Sequence, residues 1–178
     1  MMTLIIGGSG SGKSAYAEEI LELYTKGRKK YYLATMKAFD EEGEKKILRH
    51  RQSRAGKGFI TIEQPTEIIQ VLEKMHKGEK TALLECMSNL VANEMFAGEE
   101  GMDSDKLIKK LREQIGSLKE ELAHLVVVSN NVFEDGILYD EGTRQYLLAL
   151  GGINEELALL AEEVIEVAVG IPLVMKKG

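Results

Sequence analysis

The sequence predicts an α/β fold in which a mainly parallel sheet is flanked by helices and an antiparallel hairpin lies on the sheet edge at the C-terminus. Two observations support this fold. Short β-prone runs alternate with segments of helical periodicity, and strands joined through a helix pair in parallel by right-handed crossovers. The last two β-prone runs are separated by one residue, which is typical of a hairpin. We expect the 178 residues, 44% of them hydrophobic, to form a single domain, 1–178, around one core.

The individual elements follow from the periodicity of the chain. Strands are expected at residues 3–6, 31–35, 59–63, 81–85 and 125–129. Apolar residues at helical spacing predict helices at 15–24, 66–77 and 104–122. Residues 86–89 are expected to form a turn, and 97–103 a loop. The terminal hairpin joins strands at 164–169 and 171–175 through Gly170.

Residues 7–14 read Gly-Gly-Ser-Gly-Ser-Gly-Lys-Ser and match the whole phosphate-binding loop pattern G-x-x-x-x-G-K-[ST]. The motif lies between a predicted strand and a predicted helix, as such a loop must. Its glycines let backbone N–H groups surround a phosphate, and the helix N-terminus adds partial positive charge. Lys13 is then expected to reach the β- and γ-phosphates as a catalytic residue, and Ser14 to bind Mg²⁺. The other nucleotide-binding residues of the loop are Gly7, Gly8, Ser9, Gly10, Ser11 and Gly12. A Gly/Ser-rich turn that happens to precede a helix is the alternative.

Glu85 ends a predicted buried strand, and it is the best candidate for the carboxylate that a phosphate-loop protein needs beside its metal ion. The usual residue at such a position is Asp. The alternative is a strand-end glutamate that faces solvent.

Residues 45–54 hold six of the chain's cationic or titratable basic residues, counting His50. On a helix, Lys46, His50 and Arg54 would share one face at a spacing of four residues, which builds an anion site around an imidazole. A solvated basic face balanced by nearby acids explains the same residues. His76 and His124 have no such setting, and we interpret both as structural.

Composition excludes several classes of function. A net charge of −6 argues against a nucleic-acid-binding surface. The single cysteine, Cys86, excludes an intramolecular disulfide and a cysteine-only zinc site. No apolar run reaches membrane-spanning length. Residues 1–6 lead directly into the phosphate loop, so we expect no removable signal peptide there. We therefore expect a cytoplasmic protein.

Several further motifs, taken in order with the phosphate loop, resemble the adenosylcobinamide kinase/adenosylcobinamide-phosphate guanylyltransferase family over nearly the whole chain. The matching segments are Gly7-Gly8-x-x-Ser11-Gly12-Lys13-Ser14, Tyr32-Leu33-Ala34-Thr35, His50-Arg51-x-x-Arg54, Thr61-x-Glu63, Leu84-Glu85-Cys86-Met87-Ser88-Asn89-Leu90-Val91-x-Asn93 and Val128-Ser129-Asn130. A glutamate in place of the commoner metal-binding aspartate is also typical of that family.

The resemblance implies a bifunctional enzyme of cobalamin biosynthesis. One reaction phosphorylates adenosylcobinamide with GTP or ATP, and the other transfers GMP from GTP to adenosylcobinamide phosphate through a guanylylated histidine. The histidine that matches is His50, a competent nucleophile when neutral. The resemblance also implies Mg²⁺, a homo-oligomer such as a trimer, and further nucleotide contacts by Thr35, Met36, Lys37, Arg51, Gln52, Ser53, Arg54, Glu63 and Glu85. Glu63 could accept hydrogen bonds from the N–H edge of guanine, or it could be a solvated carboxylate.

The chain departs from the family pattern in two places. Asn131-Val132-Phe133 stands where Glu-Val-Gly is usual, and Leu147-Leu148 where an Arg-Asp pair is frequent. These changes concern the corrinoid site, the subunit contact or the kinase step. Two other interpretations stay open. A small-molecule kinase would leave the motif around His50 unused, and a nucleotide-dependent switch would bind a protein instead of a corrinoid.

Overall fold

The computed structural model describes residues 1–37, 43, 45, 48, 52, 55–98, 101–131 and 139–178. Within this part of the chain, seven strands form one sheet in the order β3-β2-β4-β5-β1-β6-β7. The strands are β1 (Met2–Gly7), β2 (Lys29–Ala34), β3 (Ile60–Glu63), β4 (Lys80–Glu85), β5 (His124–Asn130), β6 (Glu163–Ala168) and β7 (Ile171–Lys177). All neighbouring strands are parallel except β6 and β7, which are antiparallel at the sheet edge. The predicted fold class is confirmed.

Helices pack on both faces of the sheet. They are α1 (Lys13–Thr25), α2 (Val71–Lys74), α3 (Met87–Met95), α4 (Ser104–Glu121) and α5 (Glu141–Leu160). Alternate residues of β5 divide the core, since Leu125 and Val127 pack with α3, α4 and α5, while Val126 and Val128 pack with α1. Such alternation explains why this strand is apolar on both faces.

The helix predicted at residues 66–77 is wrong in its extent. A 3₁₀-helix covers Ile68–Gln70 and passes into the four-residue α2. Glu67 has a φ of 49°, and its N–H donates to the buried carboxylate of Glu94 at 2.6 Å, so no helix begins before it. Met75 is already extended. The hydrogen bond between Glu67 and Glu94, which are 27 residues apart, therefore overrides the local helical periodicity.

Other boundaries also differ from the prediction. The turn expected at 86–89 is the start of α3, because Cys86 is extended and the helix begins at Met87. Helix α5 was not predicted. It has 20 residues and is capped by Asp140, whose carboxylate accepts from the N–H of Thr143. Thr35 and Phe59 lie just outside the strands expected to contain them. Among the described helices, none is long and apolar enough to cross a membrane.

Candidate active site

The phosphate loop connects the end of β1 to the first turn of α1. Gly10 and Gly12 have φ values of 72° and 92°, which favour glycine. Gly7 has no room for a side chain, because a Cβ there would lie 2.5 Å from the carbonyl oxygen of Val167. Glycine is thus required at these points by backbone conformation and by the close approach of β6.

Lys13 lies over this loop. Its Nζ donates to the carbonyl oxygen of Gly8 at 2.9 Å, and the residue is only 8% exposed. Burial lowers the pKa of the Lys13 ammonium, whereas the nearby Glu85 carboxylate opposes that shift by favouring the charged form. Because the ammonium is held against the loop, a phosphate bound there would meet it directly.

Glu85 is fixed from two sides at the end of β4. One carboxylate oxygen accepts a hydrogen bond from the Ser14 hydroxyl, and the other accepts from the Tyr32 hydroxyl at 2.8 Å. The alternative of a glutamate facing only solvent is therefore wrong. Ser14 and Glu85 together offer the hard oxygen ligands that Mg²⁺ prefers. No group of three or more His, Cys, Asp or Glu residues in the described chain could hold a metal ion, but Mg²⁺ is commonly bound by one carboxylate with phosphate and water oxygens.

A cavity opens above these groups at the carboxyl ends of the parallel strands, where ligands bind in open α/β sheets. Seven residues singled out from the sequence line it: Ser9, Gly10, Lys13, Ser14, Met36, Glu63 and Glu85. Six further lining residues were not predicted as site residues: Tyr32, Ala34, Cys86, Ser88, Asn89 and Asn130. Tyr32 lies two residues before the end of β2, and the others lie at or just after the ends of β2, β4 and β5. That position is the signal that could have found them.

Thr35 lies beside the cavity but does not line it. The residue is fully buried, and its hydroxyl donates to the Cys86 carbonyl and accepts from the Cys86 N–H, both at 2.8 Å. Asn93 of α3 donates to the carbonyl oxygens of Thr35 and Pro65 at 2.8 and 3.0 Å. The Thr35 side chain thus fixes the end of β2 to the end of β4, and Asn93 adds the segment after β3.

The remaining predicted site residues divide into two groups. Lys37 and Gln52 are exposed, and Gln52 is helical together with the other described residues of that segment, at 43, 45 and 48. His50, Arg51, Ser53 and Arg54 lie outside the described residues.

A profile of the family described as Cobinamide kinase / cobinamide phosphate guanyltransferase matches residues 3–175. The chain belongs to this family. The match includes the phosphate loop, Glu85 and all or most of every strand of the sheet, so the family predicted from the sequence motifs is confirmed.

Curated relatives match over their full length. The chain is 28% identical over 185 residues to the bifunctional adenosylcobalamin biosynthesis protein CobU of Escherichia coli, covering 99% of this chain and 100% of that protein. It is 27% identical over 177 residues to the bifunctional adenosylcobalamin biosynthesis protein CobP of Pseudomonas aeruginosa, covering 99% and 98%. Among solved structures, the flagellar accessory protein FlaH from Methanocaldococcus jannaschii has a TM-score of 0.49 at 13% identity, covering 99% of this chain and 78% of that one. That likeness is too slight to carry an argument.

Proposed function

We propose that this protein is a bifunctional enzyme of cobalamin biosynthesis. It phosphorylates adenosylcobinamide with GTP or ATP, and it transfers GMP from GTP to adenosylcobinamide phosphate, which gives adenosylcobinamide-GDP and pyrophosphate. One observation carries the proposal: a chain of this family assembles Lys13, Ser14 and Glu85 at one cavity. The full-length relatives, which are named as bifunctional, support both reactions.

The kinase step needs a positioned triphosphate with its negative charge compensated. The loop N–H groups and the N-terminus of α1 provide partial positive charge, and Lys13 provides a full one. The carbonyl of Gly8, which accepts from Lys13, releases the ammonium when phosphate oxygens replace it. Ser14 and Glu85 would hold Mg²⁺, which supplies charge neutralisation at the phosphate oxygens. The hydrogen bond between these two residues supports this assignment, because it keeps their oxygens close together.

GMP transfer needs a nucleophile for the α-phosphorus, and we assign it to His50. A neutral imidazole attacks the α-phosphorus, and the bond from that phosphorus to the α–β bridging oxygen breaks with its electron pair on pyrophosphate. The phosphate of adenosylcobinamide phosphate then displaces the histidine nitrogen. Arg51 and Arg54 would stabilise the charge that develops on the phosphate oxygens.

Recognition of guanine is assigned to Glu63. This residue ends β3 and lines the cavity together with Met36. Its carboxylate can accept from the N1–H and N2–H₂ groups that adenine lacks. Met36, Lys37, Gln52 and Ser53 complete the proposed nucleotide contacts. Thr35, expected from the sequence to be such a contact, is fully buried beside the cavity and instead fixes the strand ends that carry the site. The enzyme is proposed to act in the cytoplasm as a single-domain subunit of a homo-oligomer.

One experiment tests the two activities together. The purified protein is incubated with Mg²⁺ and GTP labelled at the α-phosphate, then denatured and assayed for retained label, while a parallel reaction measures phosphorylation of adenosylcobinamide. The proposal expects both retained label and a phosphorylated corrinoid. A phosphorylated corrinoid without retained label would reduce the protein to a kinase, and failure of both assays would overturn the proposal.

A further inference from the structure

Asn130, the last residue of β5, occupies a central position in the site. Strand β5 lies between β1, which leads into the phosphate loop, and β4, which ends at Glu85. Asn130 pairs in register with Gly7, and the N–H of the next residue, Asn131, donates to the Gly7 carbonyl at 3.1 Å. Asn130 lines the cavity with Lys13 and Glu85. The strand that carries it lies between the strand that leads into the phosphate loop and the strand that ends at Glu85.

The Asn130 residue is held from two helices. Its Nδ2 donates to the Ser88 hydroxyl of α3 at 2.8 Å. Its carbonyl accepts from Nδ2 of Asn154 on α5 at 3.2 Å, and Oδ1 of Asn154 accepts from the buried Ser129 hydroxyl at 2.6 Å. The Ser88 contact restricts rotation of the Asn130 side chain, and the Asn154 contact fixes the strand end that carries it, which is what a preorganised site requires.

One hydrogen-bonding group of Asn130 stays available. Within the part of the chain that the structure describes, its Oδ1 accepts no hydrogen bond, although an amide oxygen has two lone pairs. A neutral acceptor suits this place, since a carboxylate would repel the triphosphate. An amide oxygen cannot take the proton from an alcohol, but it can orient the hydroxyl group by accepting its hydrogen bond.

We propose that Asn130 is a catalytic residue of the kinase step, in which its Oδ1 orients the acceptor alcohol toward the γ-phosphorus. Asn154 is its positioning residue. This inference rests on the proposed kinase function. In the step, the alcohol oxygen bonds to the γ-phosphorus, and the bond from that phosphorus to the β–γ bridging oxygen breaks with its electron pair on the nucleoside diphosphate. The hydroxyl proton passes to a phosphoryl oxygen of the product.

GMP transfer does not require Asn130 to orient an alcohol, because that reaction occurs at the α-phosphorus and its first acceptor is a histidine nitrogen. Removing the Asn130 carboxamide should therefore slow one reaction and spare the other. A merely structural role would lower both activities together with nucleotide affinity. The two activities of one protein thus provide an internal control.

The test compares Asn130→Ala and Asn130→Ser with the matched control Gln145→Ala. Gln145 also carries a carboxamide, but it lies on α5, donates to Glu141 at 2.8 Å and does not line the cavity. Three quantities are measured on the intact protein: the kcat for adenosylcobinamide phosphorylation, the Kd for GTP, and the rate at which label from the α-phosphate is retained. Both Asn130 variants should lose at least about tenfold in kcat with little change in Kd or labelling rate. Gln145→Ala should match the wild type in all three.

Asn154→Ala tests the positioning role. It should lower the kinase kcat by less than the Asn130 variants do and leave the GTP Kd unchanged, because the Asn130 carboxamide is still present while the strand end that carries it is less well held. Serine at position 130 keeps a polar strand end if the alanine variant fails to fold. Wild-type kcat in a folded Asn130 variant, or equal losses in kinase rate and labelling rate, would overturn the inference while the proposed function stands. A wild-type protein without kinase activity would overturn both.

Discussion

The Ser14 hydroxyl donates a hydrogen bond to a carboxylate oxygen of Glu85, although the two residues are 71 positions apart in the sequence. Ser14 belongs to the first turn of α1 and Glu85 ends β4, so the contact joins the phosphate loop to a strand that is not its neighbour. Tyr32 holds the second carboxylate oxygen at 2.8 Å. The proposed metal ligands are thus oriented by the fold itself before any ion binds, which is the arrangement that lowers the cost of binding.

Glu85→Gln tests this arrangement. The substitution keeps the size of the side chain but removes the charge that would attract Mg²⁺, so kinase and GMP-transfer rates should fall by about two orders of magnitude or more. The loss should be steeper at low Mg²⁺ concentration, as measured by titrating the metal at saturating GTP.

The matched control for this variant is Glu79→Gln. Glu79 is 73% exposed and pairs with Arg28 on the surface, so its substitution should leave the rate and the Mg²⁺ dependence unchanged. A Glu85→Gln protein whose metal titration coincides with that of the control would exclude Glu85 from metal binding.

Lys13→Ala should abolish triphosphate binding and both reactions, because one loop is proposed to serve them. Removing a buried charge that contacts phosphate costs about 2–5 kcal/mol or more. Equilibrium binding of a fluorescent GTP analogue measures the affinity, and the two activity assays follow in parallel. Lys57→Ala removes a half-exposed lysine that pairs with Glu18, and it should behave as the wild type. If the Lys13 variant still becomes labelled from GTP, the two reactions do not share a triphosphate site.

The phosphate loop and Glu85 could be predicted from the sequence because their signals are local. The glycine spacing specifies a backbone that surrounds phosphate, and a carboxylate that ends an apolar strand is expected at the ligand-binding edge of the sheet. The alternation of strands and helices is also a local signal, and it predicts a mainly parallel sheet.

The contribution of Asn130 could not be predicted in this way. Its role depends on the order of strands in space, in which β5 lies between β1 and β4, and no local pattern encodes that order. The predicted extent of the helix at 66–77 was wrong for a related reason. Glu67 and Glu94 are 27 residues apart, and both bind Lys110 of α4, so tertiary contacts decide where that helix begins.

His124 makes the stability of the protein depend on pH. It lies at the start of β5, is 2% exposed, shares a hydrogen bond with Thr3 at 3.0 Å and stacks on Tyr24. Burial lowers the pKa of His124 to about 4 from an ordinary value of 6.5. The unfolded chain therefore binds a proton in the range between these two values, whereas the folded protein does not. The contribution of His124 to stability should be constant above about pH 7 and fall as the pH decreases from about 6.5 to 4.

The expected loss from His124 between pH 7 and pH 5 is about 2 kcal/mol in the free energy of unfolding, measured by urea denaturation. Glu162 contributes in a lower pH range. Burial alone would raise the pKa of its carboxyl group, but hydrogen bonds from Lys119 and from the Met2 N–H lower it overall. Its stabilisation is lost only as the pH falls through that lowered value. His124→Gln should remove most of the change between pH 7 and pH 5. An NMR titration of the three histidines would contradict the explanation if every one showed an ordinary pKa.

His50→Asn separates the two proposed reactions, because it removes the nucleophile for GMP transfer while Lys13, Ser14 and Glu85 stay intact. GMP transfer should be lost and most of the kinase activity kept. In the wild type, the label from the α-phosphate should be labile to acid and stable to alkali, since the nitrogen of a P–N bond leaves more easily once protonated. Label formation should also fall on the acid side, where a protonated imidazole cannot attack. His76→Asn is the matched control: His76 contacts Tyr31 at 2.8 Å, does not line the cavity, and should not affect labelling. If His50→Asn still accumulates protein-bound GMP at the wild-type rate, another residue carries the GMP and the assignment of His50 is wrong.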